Sequence, residues 1–193
     1  MPEVVALGEP LVQFNAVTDG PLRHVTYFEK HATGSEANVC VALVRLGVSC
    51  GLITRLGADE FGLFIYNWLR GEGVDVSHIR FDPDRPTGIY FVQRNYPIPG
   101  VSDVLYYRKG SAASALSPDD IDPDYVGSAR VFHTTGITMA ISDTARSAAL
   151  RGLEIARSRG VTTSFDVNFR RKLWINVEDA VNALTRALNL VDI

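Results

Sequence analysis

The stretch Ser164-Phe165-Asp166-Val167-Asn168-Phe169-Arg170 sets a carboxylate, an amide and a guanidinium at every second position after a short apolar run. If that run is a buried strand, the spacing puts all three groups on one face at its carboxyl end, where open α/β sheets collect ligands. Such a trio suits phosphate, metal-bound water and a substrate anion, the needs of phosphoryl transfer. A second cluster, Tyr106-Tyr107-Arg108-Lys109-Gly110-Ser111-Ala112, places aromatics beside cations. On a strand, Tyr106 and Arg108 share one face while Tyr107 and Lys109 share the other. An arginine so placed can hold a carboxylate through two parallel hydrogen bonds, and a tyrosine hydroxyl can add a third. The segment reads equally well as a solvated edge strand defended by charge.

Two further segments sit at strand-to-helix transitions. In Thr33-Gly34-Ser35-Glu36-Ala37-Asn38, glycine lets the backbone approach a ligand, although taken alone the segment reads as an ordinary helix start capped by Ser35 or Thr33. In Arg55-Leu56-Gly57-Ala58-Asp59-Glu60-Phe61-Gly62, glycines bracket an acidic turn, and the plain alternative is a tight turn with Asp59 as helix cap. His24, His31, His78 and His133 show no metal spacing, and His133 reads as a hydrogen-bonded core residue. Cys40 and Cys50 read as two buried thiols.

The elements that must position these groups alternate. Short apolar runs at 4–8, 50–57, 131–134 and 162–166 read as strands, and helical periodicity marks 36–46, 60–71, 143–159 and 177–190. This is the pattern of a doubly wound α/β sheet. Residues 11–32 and 87–109 instead alternate apolar and polar side chains around turn signals, so each reads as a hairpin. Together they are expected to form one small sheet outside the core.

With 46% hydrophobic residues among 193, the chain can bury one sizeable core. A net charge of −3 with scattered basic residues excludes the electrostatic footprint of a nucleic-acid binder. Met1-Pro2-Glu3 lacks the basic start of a signal peptide, and no apolar run approaches the roughly 18 residues of a membrane span. A cytoplasmic protein without membrane partners is expected.

In this order, the segments resemble the ribokinase-like (PfkB) carbohydrate kinase family, and within it the members acting on 2-keto-3-deoxygluconate. The resemblance covers the whole chain and rests on Gly8-Glu9-Pro10-Leu11-Val12-Gln13-Phe14, Gly34 to Asn38, Arg55 to Gly62, Thr87-Gly88-Ile89-Tyr90, Tyr106 to Ala112 and Asp166 to Arg170. It implies one domain over 1–193, a mostly parallel central sheet flanked by helices, with a β-sheet lid formed by about 11–32 and 88–109. It also implies that Gly34, Asn38, Tyr90, Tyr106 and Arg108 hold a keto sugar acid. Arg170 would act in catalysis on the substrate carboxylate or the transferred phosphate, and Asn168 would face the nucleotide phosphates. The implied reaction is ATP-dependent phosphorylation of 2-keto-3-deoxygluconate, or its galactonate epimer, to the 6-phospho form, in sugar-acid catabolism of the Entner-Doudoroff type. ATP and Mg²⁺ are the implied cofactors, and a homo-oligomer paired through an exposed edge of the lid is expected.

The family's second signature, a glycine-rich turn ending in the aspartate that deprotonates the sugar hydroxyl, is not found in these residues, nor is the ATP base pocket. The chain is therefore expected to lack the C-terminal part of the fold, with the catalytic base outside it. Two other readings stand beside this one: a non-catalytic sugar-acid binding fragment, and a ribokinase-like kinase for fructose, ribose or a nucleoside. Arg108 and Arg170 argue against the latter, because a neutral sugar leaves two cations unpaired.

Overall fold

Four consecutive apolar residues with no polar face belong in the middle of a sheet covered on both sides. Val4–Leu7 (β1) takes that place, with all four side chains buried. The computed structural model describes residues 1–193. After β1 the chain runs through β2 (Leu11–Ala16), β3 (Phe28–Thr33), α1 (Ser35–Arg45), β4 (Cys50–Gly57), α2 (Glu60–Gly71) and β5 (Ile79–Asp82). It continues through β6 (Ile89–Gln93), β7 (Asp103–Tyr107), α3 (Pro123–Gly127), β8 (Val131–Thr135), α4 (Gly136–Ile141), α5 (Asp143–Ser158), β9 (Thr162–Asp166) and α6 (Val177–Leu188).

The main sheet is parallel throughout, in the order β5-β4-β1-β8-β9. Its two faces carry separate cores, as strand alternation requires. Val5, Leu7 and Phe132 pack beneath α5 and α6, while Val4 and Ala6 pack with Val41, Ile65 and Leu69 of α1 and α2. Both expected hairpins form, β2 with β3 and β6 with β7. Parallel pairing of β2 with β6 joins them into one four-stranded sheet, β3-β2-β6-β7, separate from the main one.

One face of the small sheet rests on α2: the ring of Phe14 meets that of Phe61 edge-on at 5.6 Å, and the Lys30 ammonium lies 4.0 Å from the Phe64 ring centre. The row Gln13, His31, Tyr90 and Tyr106, which the register aligns, occupies the opposite face. Three elements go beyond the expected pattern: the edge strand β5 and the short helices α3 and α4. Each is six residues or fewer, too short for a period to show.

Candidate sugar-binding site

Two ties fasten the small sheet to the main one. Asp59 caps α2 by accepting from the Gly62 amide at 2.7 Å, and accepts also from the Thr87 amide at 2.8 Å and hydroxyl at 2.9 Å. Burial alone would raise the Asp59 pKa, but the hydrogen bonds outweigh it and hold the carboxyl below its ordinary value. The turn from Arg55 to Gly62 is thus a capped tight turn that also anchors the entry to β6. The second tie is an ion pair. Glu9, just past β1, accepts from Arg108 Nε at 2.8 Å and from Arg108 Nη2, both at Oε2, while its Oε1 accepts from the Ser111 hydroxyl at 2.5 Å. Both charged side chains are buried, at 8% and 1% exposure for Arg108 and Glu9.

Beside these ties lies a cavity of about 200 Å³ where the main and small sheets meet. Gly34, Asn38, Tyr90, Tyr106, Arg108 and Arg170 all line it, although they come from four separate parts of the chain. Gly34 must be glycine, because its φ is +140° and a Cβ would lie 2.8 Å from the Pro10 Cα. No side chain caps α1, contrary to the expectation for Ser35 or Thr33, and Gly34 itself occupies the cap position. The Ser35 hydroxyl accepts from Asn168 Nδ2 at 3.1 Å.

Below this helix start, Glu36 Oε1 accepts from the Thr135 and Thr138 hydroxyls at 2.7 and 2.6 Å, joining α1 to the end of β8 and to α4. Burial raises the Glu36 pKa in spite of those bonds. On the opposite wall, the Tyr90 and Tyr106 rings lie 5.2 Å apart and the Tyr90 hydroxyl donates to Gln13 Oε1. Burial pushes the Tyr90 pKa up, so the hydroxyl stays neutral.

Three expectations need correction. Asp166, Asn168 and Arg170 do not share a strand face: β9 ends at Asp166, whose Oδ1 accepts from the Asn168 amide at 2.9 Å, and Asn168 turns the chain at φ +33°. Arg170 reaches the cavity after this turn; Asn168 does not line it. Arg108 does not face the cavity as an unpaired cation, because Nε and one N–H of Nη2 are given to Glu9; both N–H groups of Nη1 and the second of Nη2 remain as donors. A neutral sugar would therefore leave one cation unpaired, Arg170, which is exposed and takes part in no ion pair. His133 is the hydrogen-bonded core residue expected, its Nδ1 lying 3.0 Å from Ser164 Oγ. The buried Cys40 and Cys50 sulfurs lie 2.8 Å apart as free thiols.

Sequence reasoning did not single out Glu9, Thr33 or Ile137 as cavity residues. For Glu9 a signal existed: a charged side chain directly after a wholly apolar strand stands at the carboxyl edge of the sheet, the same rule that marked Arg170. Glu9 is also the sole carboxylate lining the cavity, and both its oxygens are engaged. The cavity can thus hold and neutralise an anion, but contains no free base. No group of three His, Cys, Asp or Glu side chains that could hold a metal ion is present, and no helix is long and apolar enough to cross a membrane.

A 2-dehydro-3-deoxygluconokinase from Thermoproteus tenax is 53% identical over 189 residues, which cover 98% of this chain and 57% of that protein. The chain thus spans little more than half of that relative's length. Among solved structures, a PfkB protein from Polaromonas sp. JS666 superposes with a TM-score of 0.95 at 36% identity, covering 100% of this chain and 64% of that one. A sugar kinase from Pyrococcus horikoshii in complex with ATP superposes with a TM-score of 0.89 at 31% identity, covering 98% and 61%. The profile of the pfkB family carbohydrate kinases matches residues 1–193, and with it the chain belongs to that family.

Proposed function

We propose that the cavity is the sugar-acid site of an ATP-dependent kinase that phosphorylates 2-keto-3-deoxygluconate at its terminal hydroxyl. The observation that carries this reading is Arg170: the cavity holds two guanidinium groups and one carboxylate, Glu9 neutralises Arg108, and Arg170 is left for one negative charge of the ligand. The name of the Thermoproteus tenax relative supports the same substrate.

In this reading Asn38 and the backbone at Gly34 orient the sugar hydroxyls, the tyrosine pair closes over the carbon chain, and the small sheet serves as a lid that excludes water. ATP would supply the transferred phosphoryl group, as the ATP complex of the Pyrococcus horikoshii kinase suggests by analogy. Asn168, an amide just beyond the carboxyl end of β9, is left to face the nucleotide phosphates. Mg²⁺ finds no carboxylate cluster of its own here, so no step of the account runs through it.

Calorimetric titration tests the reading. The sugar acid should bind this chain while fructose at the same concentration does not, and added salt should weaken the binding. Equal binding of acid and neutral sugar would refute it.

A further inference from the structure

The ion pair between Glu9 and Arg108 links residues 99 positions apart, is buried, and borders the cavity without closing it. A buried arginine without a counter-ion is unstable, and it would either move or draw in any available anion. Glu9 prevents both outcomes. It takes Nε and one N–H of Nη2, which fixes the plane of the guanidinium and leaves both N–H groups of Nη1 and the second of Nη2 without a protein acceptor. Its other oxygen is held by Ser111, so the carboxylate cannot rotate away. Gly88 makes room for the arrangement, since a Cβ there would lie 2.8 Å from Glu9 Oε1.

The contact also has a place in the architecture. Glu9 follows the central strand β1, whereas Arg108 and Ser111 follow β7 of the small sheet. One carboxylate therefore decides both where the small sheet stands and which edge of the Arg108 guanidinium meets a ligand.

We propose that Glu9 is a positioning and specificity residue: it holds Arg108 as a charge-neutral donor to ligand hydroxyl or keto oxygens, and thereby assigns the ligand's carboxylate to Arg170. The proposal rests on the sugar-acid reading for the identity of the ligand, while the pairing itself is independent of it.

A double-mutant cycle on the whole chain tests it, with calorimetry of 2-keto-3-deoxygluconate binding and the thermal midpoint as readouts. Glu9→Gln should weaken binding about tenfold and lower the midpoint, because an uncompensated buried charge is left behind. In the Arg108→Gln background, adding Glu9→Gln should cost no further affinity and should bring the midpoint back up. A merely structural Glu9 would move affinity and midpoint alike in both backgrounds, and that result would overturn the proposal. So would tighter binding by Glu9→Gln, which would mean that Glu9 only masks a carboxylate-binding Arg108. If the unaltered chain binds no sugar acid, the substrate reading fails. The midpoints then decide the pairing, recovery in the double variant supporting it and additive losses refuting it.

Discussion

At the scale of single residues, charge assignment decides what the cavity recognises. Arg170 sits on no rigid strand, yet it is the one cation of the cavity with no carboxylate beside it. Arg170→Ala should weaken sugar-acid binding by roughly ten- to a hundredfold, the loss of one charge-assisted hydrogen bond worth about 1.5–3 kcal/mol. Arg170→Lys should restore little, because a compact ammonium cannot reproduce the planar fork. Calorimetry checks both variants, and full rescue by lysine would mean that only the charge matters. Gly34, Asn38, Tyr90, Tyr106, Arg108 and Arg170 were legible through the resemblance of their motifs to the carbohydrate kinase family, and all six line the cavity. The pairing of Arg108 was not: its partner lies 99 residues away, and no local spacing carries that information.

At the scale of elements, periodicity served well where an element was long enough to show it. The apolar β1 and the amphipathic α1, α2, α5 and α6 stand where their patterns put them. The four-residue β5 carries exposed Arg80 and Phe81, so its sequence offers neither alternation nor a buried run. The alternation through Asp166, Asn168 and Arg170 misled for a different reason: asparagine tolerates the left-handed region, and Asn168 uses it to end the strand's geometry.

The junction of α1 with β8 and α4 yields a pH prediction. Burial raises the folded-state pKa of Glu36 above its unfolded value, so the protonated carboxyl favours folding. That contribution is complete below about pH 4.3, the unfolded value, and is lost as pH rises through the folded pKa. Glu36→Gln, which stays neutral, should therefore gain thermal stability relative to the unaltered chain as pH goes from 4 to 8, by about 2 °C or more. Calorimetric scans across that range check it, and a difference that stays constant with pH would contradict it.

At the scale of the whole molecule, one parallel sheet and one small sheet meet at two anchored crossings, Asp59 with Thr87 and Glu9 with Arg108 and Ser111, and the cavity lies where they meet. Both sheets were legible in the sequence because period-two alternation distinguishes wet-faced hairpins from fully buried parallel strands. How the sheets are tied together was not, since each tie is a contact between distant segments. The cavity's contents set a limit on the chemistry. With its sole carboxylate committed to Arg108 and Ser111, it has no group to take a proton from a sugar hydroxyl. These 193 residues alone should bind the sugar acid yet release no ADP from ATP in its presence, and sugar-dependent ADP formation in a coupled assay would show that a base has been overlooked.

Where a bound sugar acid puts its charge is the central question for this cavity. A crystal structure of this chain with 2-keto-3-deoxygluconate is the direct measurement. The predicted result places the ligand carboxylate within hydrogen-bond distance of the Arg170 guanidinium, with Glu9 still holding Arg108 Nε and Nη2 and a ligand hydroxyl or keto oxygen on the free Nη1/Nη2 edge of Arg108. A carboxylate seated on Arg108 with Glu9 displaced, or a ligand bound away from the cavity altogether, would contradict it.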